Sequence, residues 1–237
     1  MTADVASDDP SRGALAGLRV LDLTSVVLGP LATQVLGDHG AEIIKIEGPT
    51  GDLMRSNGVS LHRGMSSIFL AINRNKRSLA LDLKRPAGRE VLWRLIDSAD
   101  VLVHNMRVQA IEKLGFGAQS VLARKPSLVY CVATGFDQDG PEHAKPAFDD
   151  VIQAACGLAS INSHDRDEPA YVPSLIADKT IGLAVANAVM AALLHRARTG
   201  RGQSVEVPMF ESMVAFMLVA HEIPLPAGVV PPLDRGA

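Results

Sequence analysis

The stretch LRVLDLTSVVLGPLATQVLGDHGAEIIKIE (18–47) reads as strand, helix, strand. LRVLDLT (18–24) and AEIIKIE (41–47) are short apolar runs, and the helix-like spacing of 30–38 between them stops at Gly40. The same alternation continues outward. SLALDL (78–83), DVLVHN (100–105) and SLVYCVA (127–133) read as further strands. Between them Pro86 opens a helix whose Val91, Leu92, Leu95 and Ile96 share one face of a 3.6-residue period. Hydrophobic strands alternating with helices predict a parallel sheet covered on both faces, an α/β fold of the Rossmann-like kind.

Beyond this region the pattern changes. Residues 148–160 read as one helix, followed by the polar loop NSHDRDEP (162–169). A long helix is expected from Asp178 to about residue 198, closed by the glycines of TGRGQ (199–203). SVEV (204–207) is a last strand, and Pro208 starts a helix carrying MFESMVAFMLVAH. Its Met209, Phe210, Met213, Phe216 and Met217 form an apolar stripe, read as core or dimer interface. The longest apolar stretch, 181–194, is interrupted by Asn187 and shorter than the ~20 residues of a membrane span, so it reads as a buried helix. The expected organisation is a disordered tail over 1–16, one large α/β domain over 17–222, and a linker over 223–237 with prolines at 224, 226, 231 and 232.

Several function classes are disfavoured. A net charge of −3 gives no electrostatic footprint for nucleic acid, and nine aromatic residues are few for a protein that stacks single-stranded bases. The start, MTADVASDDPSRGAL, has no apolar signal region, and the two cysteines, Cys131 and Cys156, suit a reducing compartment. A cytoplasmic protein with no membrane partner is the expectation. Glu47 ends the second strand as a ribose-binding carboxylate would, but LTSVVLGPLA after the first strand holds one glycine where dinucleotide binding needs three. Neither a phosphate-binding P-loop nor a G-x-S-x-G elbow occurs. The seven histidines include no closely spaced pair, so no metal site is expected.

Six short patterns remain, in order: GPLATQVLGDHGAEIIKIE (29–47), NRNKRSLALDLK (73–84), ADVLVHN (99–105), ATGFDQDGP (133–141), KPAFDDVIQA (145–154) and RTGRGQSVEV (198–207). Together with the Asp178 segment they resemble the class III CoA-transferases, the family of formyl-CoA and carnitine CoA-transferases, over residues 17 to about 222. The resemblance implies an interlocked homodimer, acyl-CoA and a small carboxylic acid as substrates, and no prosthetic group. It also implies that Asp178, in SLIADKTIG, is the nucleophile, where residue-level reading alone finds a helix N-cap. By the same resemblance Val26, Val27, Leu81, Asn105 and Met106 line the CoA site, and Lys113 and Lys145 meet its phosphates. Asn73, Lys76 and Arg77 form a basic patch, read as a solvated loop or a ligand contact.

Departures from the family pattern are informative. HNMRVQA (104–110) replaces the usual E-N-F-R-P-G, and Gly48 stands where many members have arginine. The related α-methylacyl-CoA racemases place a histidine base thirty positions before the aspartate. Phe148 occupies that place here, which argues for transferase over racemase and adds Phe148 to the pocket. Family chains continue into a second, smaller domain, so residues 223–237 are expected to lead toward one. A CoA-binding fragment or non-catalytic partner subunit is the alternative reading.

Overall fold

The computed structural model of the chain describes residues 13–163 and 168–218. Its strands are β1 (Arg19–Leu23), β2 (Glu42–Glu47), β3 (Lys76–Ala80), β4 (Val101–His104), β5 (Val129–Thr134) and β6 (Ser204–Pro208). They form one sheet in the order β3-β2-β1-β4-β5-β6, with every pair parallel. This is the order of a doubly wound α/β sheet, and the sense in which successive strands are added reverses between β1 and β4.

Side-chain alternation along the strands builds two cores. Val20, Val101, Val103, Val129 and Cys131 point to one face, where α1 (Leu28–Asp38), α6 (Asp149–Ala155), α8 (Ile176–Thr199) and α9 (Met209–Leu218) pack. Leu21, Leu102, Tyr130 and Val132 point to the other, covered by α3 (Pro86–Ser98), α4 (Val108–Lys113) and α5 (Ala118–Arg124). Fully burying each Val, Leu or Ile side chain is worth about 1.5–3 kcal/mol, so central strands buried on both faces anchor the fold. Two short helices, α2 (Ser67–Ile72) and α7 (Leu158–Ile161), and a 3₁₀ turn over Leu53–Ser56 complete the described elements.

Several expected boundaries move. Residues 14–17 form a turn with Leu15 buried in the first core; the rest of the tail expected over 1–16, residues 1–12, lies outside the described residues. β3 ends at Ala80 rather than 83, because β2 ends at Glu47 and no partner continues beyond that register. The single helix expected over 148–160 is two, since Gly157 adopts φ +83 and breaks it between α6 and α7. Part of the polar loop (164–167) and the segment from 219 onward, with its prolines, lie outside the described residues.

Helix α8 also differs from expectation. Flanking residues lengthen the apolar stretch to a 24-residue helix whose most apolar window has mean hydropathy 1.4, long and apolar enough to cross a membrane by length and composition. Half of that window is buried inside the protein. Ala177, Ile181, Val185 and Val189 pack into the first core, where α8 lies against α1 and the sheet. Gly182 permits the crossing with α1, as a Cβ there would come within 2.8 Å of the Leu28 carbonyl oxygen. On α9 the apolar stripe divides: Met209, Met213 and Met217 are buried at i, i+4, i+8, and Phe216 is 57% exposed.

Candidate active site

The loops following β1, β4 and β5 meet at the carboxyl ends of the strands, beside the reversal point where doubly wound sheets bind ligands. Asp178 reaches this place from the start of α8. Leu175, not Asp178, is the N-cap, and Asp178 stands in the first turn as a buried residue. Its backbone N–H donates to Asp149 Oδ1 at 2.9 Å, so the Asp149 carboxylate satisfies one of the open donors of the helix start. Asp149 Oδ2 accepts from Gln153 Nε2 at 2.6 Å, and Gln153 Oε1 accepts from the Val172 N–H at 2.9 Å. Burial, and then the neighbouring Asp149 charge, push the Asp178 carboxyl up to about 7.

The opposite wall is the β1–α1 loop. Val26 sits at φ +72, a conformation that a β-branched residue holds only when its surroundings enforce it. Here they do. Asp52 Oδ1 accepts from the Val26 N–H at 3.4 Å and the Met54 N–H at 2.9 Å. Lys45 Nζ donates to the Thr24 carbonyl at 2.8 Å and lies 2.9 Å from Asp52 Oδ2, an ion pair off the hydrogen-bonding axis since that oxygen accepts none. From the other side, Asn105 takes both the N–H (3.0 Å) and the carbonyl (2.9 Å) of Ser25.

The anticipated basic patch of Asn73, Lys76 and Arg77 does not form. Lys76 is turned inward, donating to Asp22 Oδ2 at 3.0 Å, the Pro30 carbonyl at 2.7 Å and Asn73 Oδ1 at 2.9 Å. Its partner Asp22 is wholly buried, so the lysine compensates an interior charge. Arg77 pairs with Glu42 at 2.8 Å on the far end of the strands. Glu47, the would-be ribose carboxylate, is bound by Arg55 at 2.6 and 2.7 Å and by Ser78 at 2.6 Å.

Four adjoining clefts run through the site, two of them lined by Asp178. One of about 200 Å³ brings together Val26, Val27, Asn105, Phe148 and Asp178. It opens into a 350 Å³ cleft holding Met106 and Lys145, and Met106 also lines a 410 Å³ cleft with Leu81. On the other side of Asp178 lies a cavity of about 690 Å³, sharing Val26, Val27 and Phe148 with the first. Lys145 is paired with Glu142 at the surface. Lys113 stands exposed in the last turn of α4 and lines none of these clefts, because that turn faces solvent behind Ile111. Gly48 lines the 410 Å³ cleft with open space at its Cβ position. His104, the other departure in that loop, lies beneath the surface with Nε2 2.7 Å from the Tyr130 hydroxyl, and burial brings it down to about 4.

Two residues escaped the sequence reading. Asp149 was one half of an ordinary-looking Asp-Asp pair at a helix start, and Lys84 lines the 410 Å³ cleft beside Leu81. Among the described residues no group of three or more His, Cys, Asp or Glu could hold a metal ion. Burial pushes the Cys131 thiol up to about 12, leaving it no thiolate character.

A family model described as CoA-transferase family III matches residues 15–233. The chain belongs to this family. The family-III chain is 38% identical over 210 residues to the succinyl-CoA:glutarate CoA-transferase of Mus musculus, covering 88% of this chain and 48% of that protein. It is 38% identical over 211 residues to a probable fatty acyl-CoA transferase of Mycobacterium tuberculosis, covering 88% of this chain and 53% of the relative. A crystal structure of the latter superimposes with TM-score 0.83 over 88% of this chain and 58% of that one, at 37% identity. A CAIB/BAIF family protein from Brucella suis gives TM-score 0.83 at 34% identity, over 87% and 56%. This family-III chain thus spans about half the length of the curated relatives it matches.

Proposed function

We propose that the protein is an acyl-CoA:carboxylate CoA-transferase with Asp178 as nucleophile. The observation that carries this reading is the position of Asp178, a buried carboxyl where two clefts meet. One cleft leads past Asn105 to Met106 and Leu81, the side assigned to CoA; the other is free for the acyl group. Relatives named for succinyl-CoA with glutarate and for fatty acyl-CoA give the reaction type: CoA moves between carboxylic acids.

The steps follow from the carboxylate. An Asp178 oxygen attacks the thioester carbonyl; the C–S bond breaks, and CoA leaves as thiolate from a mixed anhydride. The thiolate then attacks the aspartyl carbonyl, releasing the first acid as carboxylate and leaving an aspartyl-CoA thioester. The acceptor carboxylate attacks that thioester, giving a second anhydride and free thiolate. Attack of this thiolate on the acceptor carbonyl forms the new acyl-CoA and restores Asp178. No proton is gained or lost overall, but Asp178 must enter ionised, and with its carboxyl pushed up to about 7 by burial that form gains ground as pH rises.

In this scheme Val26, Val27 and Asn105 hold the pantetheine arm, and Leu81 and Met106 the nucleotide side. Lys145 gives up its surface partner Glu142 for a phosphate, and Lys113 is available to a phosphate reaching beyond the clefts. Phe148 closes the cleft from the α6 side and offers no base for α-proton removal, which disfavours a racemase. A second copy of the chain is the partner that Phe216 and Leu218, exposed on α9, suit. Intact-mass spectrometry after incubation with acyl-CoAs, beside Asp178→Ala, tests the scheme. The expected result is a CoA adduct on the wild-type chain that Asp178→Ala lacks. A folded chain that binds CoA without ever acquiring the adduct overturns catalysis in favour of a CoA-binding role, which the half-length match to relatives keeps in view.

A further inference from the structure

We propose that the 690 Å³ cavity beyond Asp178 receives the acyl chain of an apolar monocarboxylic acid and selects against dicarboxylic acids. This rests on the CoA-transferase reading, since it takes the opposite clefts to be the CoA side. Val27, Leu53, Met54, Ile68, Tyr171 and Leu175 give the cavity apolar walls. Its charged groups are all acidic: Asp149 and Asp150 in addition to Asp178. Among the described residues no lysine, arginine or histidine lines it.

Two described cations near the cavity have partners of their own. Arg55, on the short 3₁₀ turn that supplies Leu53 and Met54, is turned onto Glu47 at 2.6 Å and over the Phe69 ring at 3.9 Å. Lys179, next to the nucleophile in sequence, is not itself a wall residue; its amine donates to Ser174 Oγ at 2.7 Å at the exposed edge of the cavity. Of the two amide side chains in the wall, Gln153 is saturated by Asp149, Val172 and Ser174, and Asn57 Nδ2 donates to Met54 Sδ at 3.8 Å.

A second carboxylate entering this space would give up part of its hydration beside the buried Asp149 with no counter-charge among the described wall residues to receive it. An alkyl chain meets the opposite conditions, each buried methylene being worth roughly a fourfold gain in affinity. The volume lies within the range of pockets that enclose small organic ligands, so the chain need not be short.

Two unreactive thioethers, S-hexyl-CoA and S-(3-carboxypropyl)-CoA, separate the alternatives by calorimetry on the whole 237-residue chain, with CoA as reference. S-hexyl-CoA is expected to bind at least tenfold tighter than the carboxypropyl compound. Leu53→Arg, an exposed position that tolerates a long side chain, is expected to shrink that ratio below threefold by placing a cation at the rim. Equal or tighter binding of the carboxypropyl compound overturns the inference, as does binding of neither thioether. A clear hexyl preference without any adduct in the mass assay leaves the selectivity standing while the catalytic reading fails. An adduct together with carboxypropyl preference does the reverse.

Discussion

Replacing the buried, half-ionised Asp178 by Asn should stabilise the protein, and more so as pH rises. The folded-state value of about 7 lies above the ordinary 3.8. The unfolded chain therefore sheds this proton first. Stability associated with the neutral carboxyl is fully present below about pH 4 and is lost as pH climbs through about 7. At about 1.4 kcal/mol per pH unit, the displacement from 3.8 to about 7 corresponds to a ceiling of about 4 kcal/mol. The positive end of α8 offsets part of this by favouring an anion in its first turn, by up to ~1 kcal/mol. The expectation is that Asp178→Asn gains about 3 kcal/mol over wild type at pH 8.5 and almost nothing at pH 4. Urea unfolding of both proteins at the two pH values reads the difference directly. A gain that is the same at both, or absent at pH 8.5, refutes the claim that Asp178 is held in an environment hostile to its charge.

Two further outcomes follow from the same neighbourhood. If Asp149 contributes to the raised Asp178 value, Asp149→Asn should move the pH midpoint of adduct formation below that of wild type while keeping an oxygen for the Asp178 N–H; an unchanged midpoint assigns the whole effect to burial. Lys45→Met leaves the Asp52 carboxylate, 1% exposed, without its ion-pair partner and should cost about 3–5 kcal/mol in urea unfolding. Adding Asp52→Asn, which preserves the acceptor for Val26 and Met54, should recover more than half of that loss; no recovery would mean that Lys45 acts through packing alone.

The sheet was legible because its inner strands, β4 and β5 above all, are apolar on both faces, which left little ambiguity about a parallel, doubly covered arrangement. Its misreadings have local causes. Residues 81–83 continue the apolar alternation of β3, but strand length depends on a partner, and β2 stops at Glu47. Gly157 broke a pattern that periodicity alone carried from 148 to 160. Asp178 was singled out in the sequence, yet its place in the first turn rather than at the cap follows from Asp149 capping from another helix. Long-range pairing likewise hid Lys76: an N-x-N-K-R run looks solvated until Asp22, far away in sequence, is brought beneath it. Val26 gave no sign of its left-handed backbone, as nothing in SVVLG demands one.

The parallel pairing also bears on when the site comes into being. Val20 must find Val101 and Tyr130 must find Ser204, pairings across long stretches of chain that close slowly compared with local helices. The β1–α1 loop, the Asn105 bridge and Asp178 therefore acquire their mutual geometry only after the most distant contacts have closed. On the ribosome, no partial chain short of Met209, which follows β6, completes the 200 Å³ cleft beside Asp178. A ligand that binds this cleft would then favour the fully paired sheet over any less complete form by mass action.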